Sequence, residues 1–280
     1  MLEDLYTLLE WPSDPLSPSG KRRMFEAMEI LDRVLEHDYM KKVLENRNRV
    51  RILDVCSGGG VAGFALAKLL MSRGYEVRLT LVDLRAHELE KAHAYRDNYM
   101  KELVLETYAI DAKRVHELGK KFDIALMWGL SLPHFSPWDA IKLFISVAKS
   151  LEKNSVFLLD ECDRMSTIFM KMGYKLIVPA GFSEKPIVDI HRGYDIARGM
   201  IKRVVVDLST GKYVNHELCL LWSLSTIASL LWVVFSDVDV VMYGRATDRF
   251  VVIAYSPRDS VSLDDLLLKE PSLLRRELVI

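Results

Sequence analysis

An acidic residue and three consecutive glycines give this chain its clearest chemical signal. The sequence RILDVCSGGG at residues 51–60 describes an apolar run that ends in a turn. Adjacent glycines let the backbone approach a ligand that any Cβ would keep away. A helical pattern follows at residues 61–73, and the first turn of a helix presents free N–H groups and positive partial charge. The stretch therefore predicts a cradle for an anionic group of a cofactor.

Two further acids follow apolar runs later in the chain. Asp83 ends the run at residues 79–83, at roughly the 20-residue spacing from Gly60 at which a carboxylate reaches ribose hydroxyls. An ionised carboxylate makes strong hydrogen bonds and can accept from two hydroxyls at once. Asp111 follows the next apolar run and precedes a helix predicted at residues 113–118. Capping a helix is the structural alternative for each acid.

The elements that must position these residues alternate along the chain. Strands are predicted at residues 51–56, 77–83, 103–109, 122–128 and 154–160, and helices at 61–73, 86–100, 113–118 and 137–151. Such alternation is typical of a parallel sheet with helices on both faces. Right-handed crossovers then predict a doubly wound α/β sheet that binds its ligand at the carboxyl ends of the strands.

The remaining segments flank or interrupt this sheet. Residues 1–50 are predicted to form an N-terminal helical arm, and residues 161–216 an inserted cap containing a hairpin at 203–214. An apolar helix is predicted at 217–235. Two closely connected strands at 238–243 and 249–255 must be antiparallel, because a parallel pair needs a long crossover. The 51–256 region is thus predicted to be one domain containing the cap, followed by a C-terminal tail at 257–280.

The glycine turn resembles a known family motif. It departs from the G-x-G-x-x-G of nicotinamide-binding turns and resembles the D/E-x-G-x-G-x-G motif of class I S-adenosylmethionine-dependent methyltransferases. Asp54 matches the acid, Gly58 and Gly60 match the second and third glycines, and Cys56 replaces the first. The antiparallel pair agrees with the resemblance, which implies a mostly parallel seven-stranded sheet with an antiparallel last strand.

The resemblance implies S-adenosylmethionine as the cofactor and assigns positions to it. The glycine turn would receive the methionine carboxylate, Asp83 the ribose hydroxyls and Asp111 the adenine amino group. Trp128 would pack on the adenine or border the methyl, with a core role as the alternative. Lys21, Arg22 and Arg23 fit a solvated helix end better than an anion contact. The full predicted cofactor site is Asp54, Cys56, Ser57, Gly58, Gly60, Asp83, Leu84, Asp111, Ala112 and Trp128.

Methyl transfer to a hydroxyl or ammonium group releases a proton, for which the sequence offers three catalytic candidates. His134 lies on a proline-containing loop after the fourth predicted strand, and Glu161 follows the fifth. Tyr194 lies in the cap. Histidine and carboxylate side chains are common general bases. A satisfied loop histidine, a solvated acidic turn and a surface hairpin residue are the respective structural alternatives.

The predicted acceptor is an oxygen or nitrogen atom of a small molecule enclosed by the arm and the cap. The formal net charge of −1 gives no reason to expect attraction to nucleic acid. An RNA or protein methyltransferase, a non-catalytic protein that retains the fold, and a nicotinamide oxidoreductase are the alternatives in decreasing order.

Composition bears on the cellular setting. Three widely spaced cysteines without metal-ligand spacing, and no secretory pattern, predict a reduced cytoplasmic protein with no metal site. The absence of Gln from a highly charged chain is a direction taken by proteins of hot organisms. Residues 218–235 carry no charge, so a membrane span is considered there, but a buried helix is preferred because four hydroxyl residues interrupt the segment.

Overall fold

The computed structural model describes residues 2–182, 184–244 and 248–258. Three helices form the arm: α1 (Leu2–Leu9), α2 (Pro18–Leu35) and α3 (Asp38–Leu44). Ser17 caps α2 by accepting a hydrogen bond from the Gly20 N–H at 3.0 Å. Pro18 occupies the first helical position, where its missing N–H has no intrahelical partner to lose. The prolines between residues 12 and 18 separate α1 from α2 because they cannot continue a helix.

A seven-stranded sheet forms the centre of the molecule, with strand order β10-β11-β5-β4-β1-β2-β3. Strand β11 runs antiparallel to both neighbours, and the β1–β5 pairings are parallel. The predicted doubly wound α/β fold with an antiparallel last strand is therefore confirmed. The strands are β1 (Arg49–Val55), β2 (Glu76–Asp83), β3 (Val104–Ala109), β4 (Phe122–Met127), β5 (Leu151–Cys162), β10 (Phe235–Tyr243) and β11 (Arg249–Pro257).

Helices cover both faces of this sheet. Alternate residues of the strands enter two cores, so that Ile52 packs on one face and Leu53 on the other. The first face is covered by α2, α3, α4 (Val61–Ser72) and α5 (Ala86–Tyr99). The second is covered by a 3₁₀ helix (Ala112–Leu118), α6 (Pro137–Ser150) and α7 (Leu224–Val234).

The inserted region contains a second sheet with antiparallel order β6-β7-β8-β9. Its strands are β6 (Ile177–Ala180), β7 (Ile187–Asp195), β8 (Met200–Asp207) and β9 (Tyr213–Leu218). Helix α1 packs on this cap sheet through Leu5, which contacts Ile187 and Val205 in a small separate core. The Cys219 N–H donates to the Pro133 carbonyl at 2.8 Å and ties the end of the cap sheet to the loop after β4.

Two sequence-based boundaries require correction. The helix predicted at residues 217–235 is shorter, because Leu218 ends β9 and α7 begins only after Ser223, whose side chain accepts from the Thr226 N–H. Strand β5 continues past residue 160, so Glu161 lies within a buried strand and not on a solvated turn. Among the helices of the described residues, none combines the length and apolar character needed to cross a bilayer. The predicted tail from residue 259 onward lies outside those residues.

Candidate active site

The turn after β1 adopts a backbone conformation that glycine favours. Gly58 and Gly60 have φ angles of +54° and +81°, and Cys56 has +56° at the position where the family motif has glycine. A Cβ on Gly60 would lie 2.6 Å from Leu81 Cδ1, so no larger residue fits without displacement. Helix α4 starts at Val61 without a side-chain cap on Gly60. The turn therefore delivers the uncapped beginning of a helix to the carboxyl edge of the sheet.

Asp54 is buried under this turn. Its Oδ2 accepts from the Gly63 N–H at 2.9 Å, while Oδ1 is buried without a partner among the described residues. Burial raises the pKa of Asp54 to about 8, the Gly63 hydrogen bond opposes the rise, and the charge of Asp83 adds to it. A buried carboxyl oxygen without a partner, beside a glycine turn, is available to a polar ligand group.

The titration of Asp54 predicts the pH dependence of stability. Because the folded-state pKa lies above the ordinary value of 3.8, the folded protein holds a proton that the unfolded chain releases. This group therefore makes the free energy of unfolding fall as pH rises through that interval. We expect Asp54→Asn to gain stability over the wild type by about 1 kcal/mol per pH unit between pH 5 and 7. Urea unfolding at several pH values measures it, and a constant difference between the two proteins would contradict it.

Asp83 lies at the end of β2 with only 6% of its surface exposed. Its Oδ2 accepts from the Gly58 N–H at 2.7 Å, which links the second strand end to the glycine turn. Its Oδ1 accepts from the backbone N–H and the Nε of Arg85, both at 3.0 Å. The Arg85 guanidinium in turn lies 4.4 Å from the ring centroid of Tyr6 on α1. An arginine contacted by the arm thus occupies the carboxylate assigned to ribose.

Asp111 combines the two roles considered for it. It caps the 3₁₀ helix by accepting from the Lys113 N–H at 2.9 Å, and Lys113 Nζ lies 3.6 Å from its other oxygen. The same side chain borders a cavity with Ala112 and Asp83. Asp111 therefore caps the 3₁₀ helix, as the structural alternative predicted, and it also lines a cavity.

Three neighbouring cavities lie at the carboxyl edge of the sheet, and Tyr6 lines all three. The first, the adenosine-side cavity of about 170 Å³, is lined by Cys56, Asp83, Leu84, Asp111, Ala112 and others. The second, the turn cavity of about 40 Å³, is lined by Arg23, Asp54, Cys56, Ser57, Gly58, Trp128 and others. Every predicted cofactor-site residue except Gly60 borders one of these two cavities. The third, the cap cavity of about 390 Å³, lies between α1, the loop after β4 and the cap sheet.

The arm covers the glycine turn and supplies residues that sequence reasoning did not assign. A Cβ on Gly59 would lie 2.4 Å from the Ser13 carbonyl oxygen, so the arm backbone rests directly on the turn. Arg23 donates to the Pro12 carbonyl at 2.5 Å and lies 5.0 Å from the Trp11 ring centroid. Burial lowers the pKa of Arg23, which lines the turn cavity and is not at a solvated helix end. Nothing in the sequence around Arg23 indicates this position, because it depends on how the arm packs.

The three proton-transfer candidates occupy different environments. His134 borders the cap cavity, and its Nε2 lies 2.6 Å from the Tyr6 hydroxyl. Burial lowers the pKa of His134 to about 4, helped by His216, Arg164 and Arg85. Neutral His134 shares this hydrogen bond with the Tyr6 hydroxyl, and the tautomer of the ring decides which of the two donates. Burial raises the pKa of Tyr6.

Glu161 and Tyr194 do not border the cap cavity that His134 borders. Glu161 is fully buried and accepts from the Cys162 N–H at 2.9 Å and from Arg164 at 2.8 Å. Burial raises its pKa, against the opposing charge of Arg164. Tyr194, on β7, is 42% exposed and borders none of the three cavities. Of these three candidates, only His134 reaches the cap cavity.

Comparison with known proteins agrees with this geometry. Residues 52–154 match a family model described as a methyltransferase domain. No curated protein sequence matches the chain. Among solved structures, a protein from Pyrococcus horikoshii OT3 is 21% identical, with a TM-score of 0.60 and coverage of 91% of this chain and 99% of the other. An S-adenosylmethionine-dependent methyltransferase from Clostridium acetobutylicum ATCC 824 is 16% identical, with a TM-score of 0.56 and coverage of 84% and 98%.

A third neighbour is the CcbJ methyltransferase from Streptomyces caelestis. It is 13% identical, with a TM-score of 0.57 and coverage of 92% of this chain and 96% of the other. At such identities the structural likeness establishes the fold, and the family model supplies an independent match that runs from within β1, through the glycine turn, to the beginning of β5.

Proposed function

We propose that this chain is a class I S-adenosylmethionine-dependent methyltransferase and that it methylates an oxygen or nitrogen atom of a small molecule held between the arm and the cap. The observation that carries the proposal is the cap cavity of about 390 Å³, a size typical of small-molecule sites. It shares Tyr6, Trp11 and Gly129 with the turn cavity, so an acceptor there would adjoin the cofactor.

The residues around the glycine turn fit the methionine end of the cofactor. The Asp54 oxygen without a partner suits the α-ammonium group, and the Arg23 guanidinium suits the α-carboxylate. The left-handed glycines provide the close backbone approach that such a group needs. S-adenosylmethionine supplies an activated methyl group on its sulfonium, so the protein contributes mainly orientation and exclusion of water.

The adenosine end fits the first cavity. Asp83 would accept from the ribose hydroxyls and Asp111 from the adenine amino group, with Leu84 and Ala112 as apolar contacts. Arg85 at present holds Asp83, so ribose binding would require Arg85 to share or release that carboxylate. Because Tyr6 contacts Arg85 and borders all three cavities at the carboxyl edge, the arm is suited to close over the bound cofactor.

The acceptor class follows from enclosure and from the neighbours. A structure described as a glycopeptide N-methyltransferase complexed with S-adenosylmethionine is 17% identical, with a TM-score of 0.50, which supports a nitrogen acceptor. The net charge of −1 and a cavity bounded by the arm and the cap disfavour an RNA or protein acceptor. A non-catalytic protein that retains the fold is the remaining alternative.

Among the proposed proton-transfer residues, His134 is the one beside the acceptor. Its hydrogen bond with Tyr6 and its lowered pKa suit a role in fixing the arm and presenting a neutral ring to the acceptor. Glu161 is better suited to orienting Arg164, which borders the cap cavity. The position of Tyr194 gives its proposed role no support.

Calorimetric titration with S-adenosylhomocysteine tests the cofactor assignment. We expect binding by the wild type and a loss of tenfold or more in affinity for Arg23→Met, because a charge-assisted bond to the carboxylate is removed. Arg22→Met is the matched control, because it changes the same residue type at the preceding position of α2, where the side chain is exposed.

Two outcomes would contradict this assignment. The proposed function fails if millimolar S-adenosylhomocysteine produces no binding heat with the wild type. The Arg23 assignment fails if Arg23→Met and Arg22→Met bind equally well. Transfer of a labelled methyl group to small molecules of a cell extract separates an enzyme from a non-catalytic protein with the same fold.

A further inference from the structure

A histidine–aspartate pair lies in the cap sheet beside the cap cavity. His216 on β9 and Asp189 on β7 both border the cavity, and His216 Nε2 lies 3.2 Å from Asp189 Oδ1. Their exposed fractions are only 8% and 9%. Strand β8 lies between β7 and β9, so the pair spans the inner face of the sheet and does not arise from sequence neighbours.

Arg203 fixes the carboxylate of this pair. Its Nε lies 2.9 Å from Asp189 Oδ2, and its Nη2 donates to the Asp189 carbonyl at 2.9 Å. Its third contact is the Tyr174 hydroxyl, to which Nη1 donates at 2.8 Å. Arg203 is 3% exposed. A carboxylate held by a guanidinium acts as a hydrogen-bond acceptor.

This arrangement determines the tautomer of His216. Because Asp189 can only accept, His216 Nε2 must donate, and the neutral ring then has its lone pair on Nδ1. Nδ1 is buried and has no hydrogen-bond partner among the described residues. Buried polar atoms are normally satisfied, so a basic nitrogen without a partner beside a cavity suggests that a ligand completes it.

Tyr6, His134 and Arg164 are the other titratable or charged groups that border the cavity. His134 Nε2 is already engaged by the Tyr6 hydroxyl, and burial lowers its pKa to about 4. Arg164 is paired with Glu161. His216 therefore has what His134 lacks: a carboxylate partner that can stabilise the protonated ring, and a ring nitrogen without a hydrogen-bond partner in the described part of the chain.

We propose that His216 is the general base of the reaction and that Asp189 is its positioning residue, an inference that rests on the proposed function. The acceptor would then be protic, an amine or a hydroxyl compound. Its lone pair forms the bond to the methyl carbon, and the electrons of the broken carbon–sulfur bond remain on sulfur. The proton of the acceptor moves to His216 Nδ1, and Asp189 stabilises the resulting imidazolium.

Nitrogen-15 NMR of the ring tests the tautomer without any acceptor. In wild-type protein saturated with S-adenosylhomocysteine, we expect neutral His216 to carry its proton on Nε2, with His216→Asn serving to assign the signal. Asp189→Asn should remove the preference for a proton on Nε2, because an amide can either donate to the ring or accept from it. A proton on Nδ1 in the wild type overturns the proposal.

The pH–rate profile tests the catalytic role. With labelled S-adenosylmethionine and the small-molecule fraction of a cell extract, the wild-type rate should fall on the acidic side as His216 becomes protonated. His216→Asn should lower the rate by about 100-fold or more and abolish this acid limb. Asp189→Asn should move the limb to lower pH, which a merely structural role would not do. The matched control His93→Asn changes a histidine on α5 that borders none of the three cavities.

The outcomes separate this inference from the function on which it rests. If the wild type fails to bind S-adenosylhomocysteine, the proposed function is overturned. If His216→Asn binds it with wild-type affinity and keeps the rate and the acid limb, the proposed base is overturned and the methyltransferase stands. Should His216→Asn not fold, the shift of the acid limb in Asp189→Asn decides the question.

Discussion

Replacing Asp83 by Ala is expected to weaken the binding of S-adenosylhomocysteine at least tenfold. The carboxylate lies at the end of β2, where the adenosine-side cavity begins, and it is 6% exposed. Loss of two charge-assisted acceptor bonds to ribose hydroxyls would cost on the order of 2–4 kcal/mol, which corresponds to roughly 30-fold or more. Isothermal titration calorimetry measures this change directly.

Two further variants, Arg85→Ala and Asp83→Asn, provide the controls for this result. Arg85 donates to Asp83, so Arg85→Ala should leave affinity unchanged or increase it because a competitor for the carboxylate is removed. Asp83→Asn preserves the shape of the side chain and an acceptor for the Gly58 N–H, and it should give an intermediate loss. Equal affinities for wild type and Asp83→Ala would refute the ribose assignment.

The second large effect is expected from Gly59→Ala. A Cβ there would lie 2.4 Å from the Ser13 carbonyl oxygen and 2.8 Å from Pro15 Cδ, so the arm must move away from the turn. The arm also contributes Arg23 and Trp11 to the turn cavity. We expect cofactor affinity to fall about tenfold or more while the core stays folded, because interactions formed only by the closed arm are lost.

Limited proteolysis and calorimetry together measure this effect. Faster cleavage within residues 10–16, with little change in melting temperature, would indicate a displaced arm. Gly74→Ala is the matched control, since Gly74 has a φ of +91° and no atom within 4 Å of its added Cβ. That variant should lose about 1 kcal/mol of stability without losing affinity. An arm that stays protected in Gly59→Ala, with unchanged affinity, would contradict the prediction.

The sheet and the glycine turn were predictable because their signals are local. Each buried parallel strand is a short apolar run, and the spacing of these runs predicts the crossovers. The turn needs residues in the left-handed backbone conformation, which glycine favours, so the residue types at Gly58 and Gly60 indicate the turn. The same logic failed at residues 217–235, where an uncharged run contains both the end of β9 and the start of α7. Periodicity does not distinguish a buried strand end from a buried helix in such a run.

The sequence by itself determined the parallel order, the cradle after β1 and the acids at the ends of β2 and β3, because each depends on residues close in the chain. Tertiary structure decided which side chains line the cavities at the carboxyl edge. Arg23 reaches the turn cavity through the packing of the arm, and His216 meets Asp189 across the intervening strand of the cap sheet. Glu161 became buried because β5 extends beyond its predicted end. These contacts join residues distant in sequence, and their geometry arises only when the arm, cap and central sheet pack together.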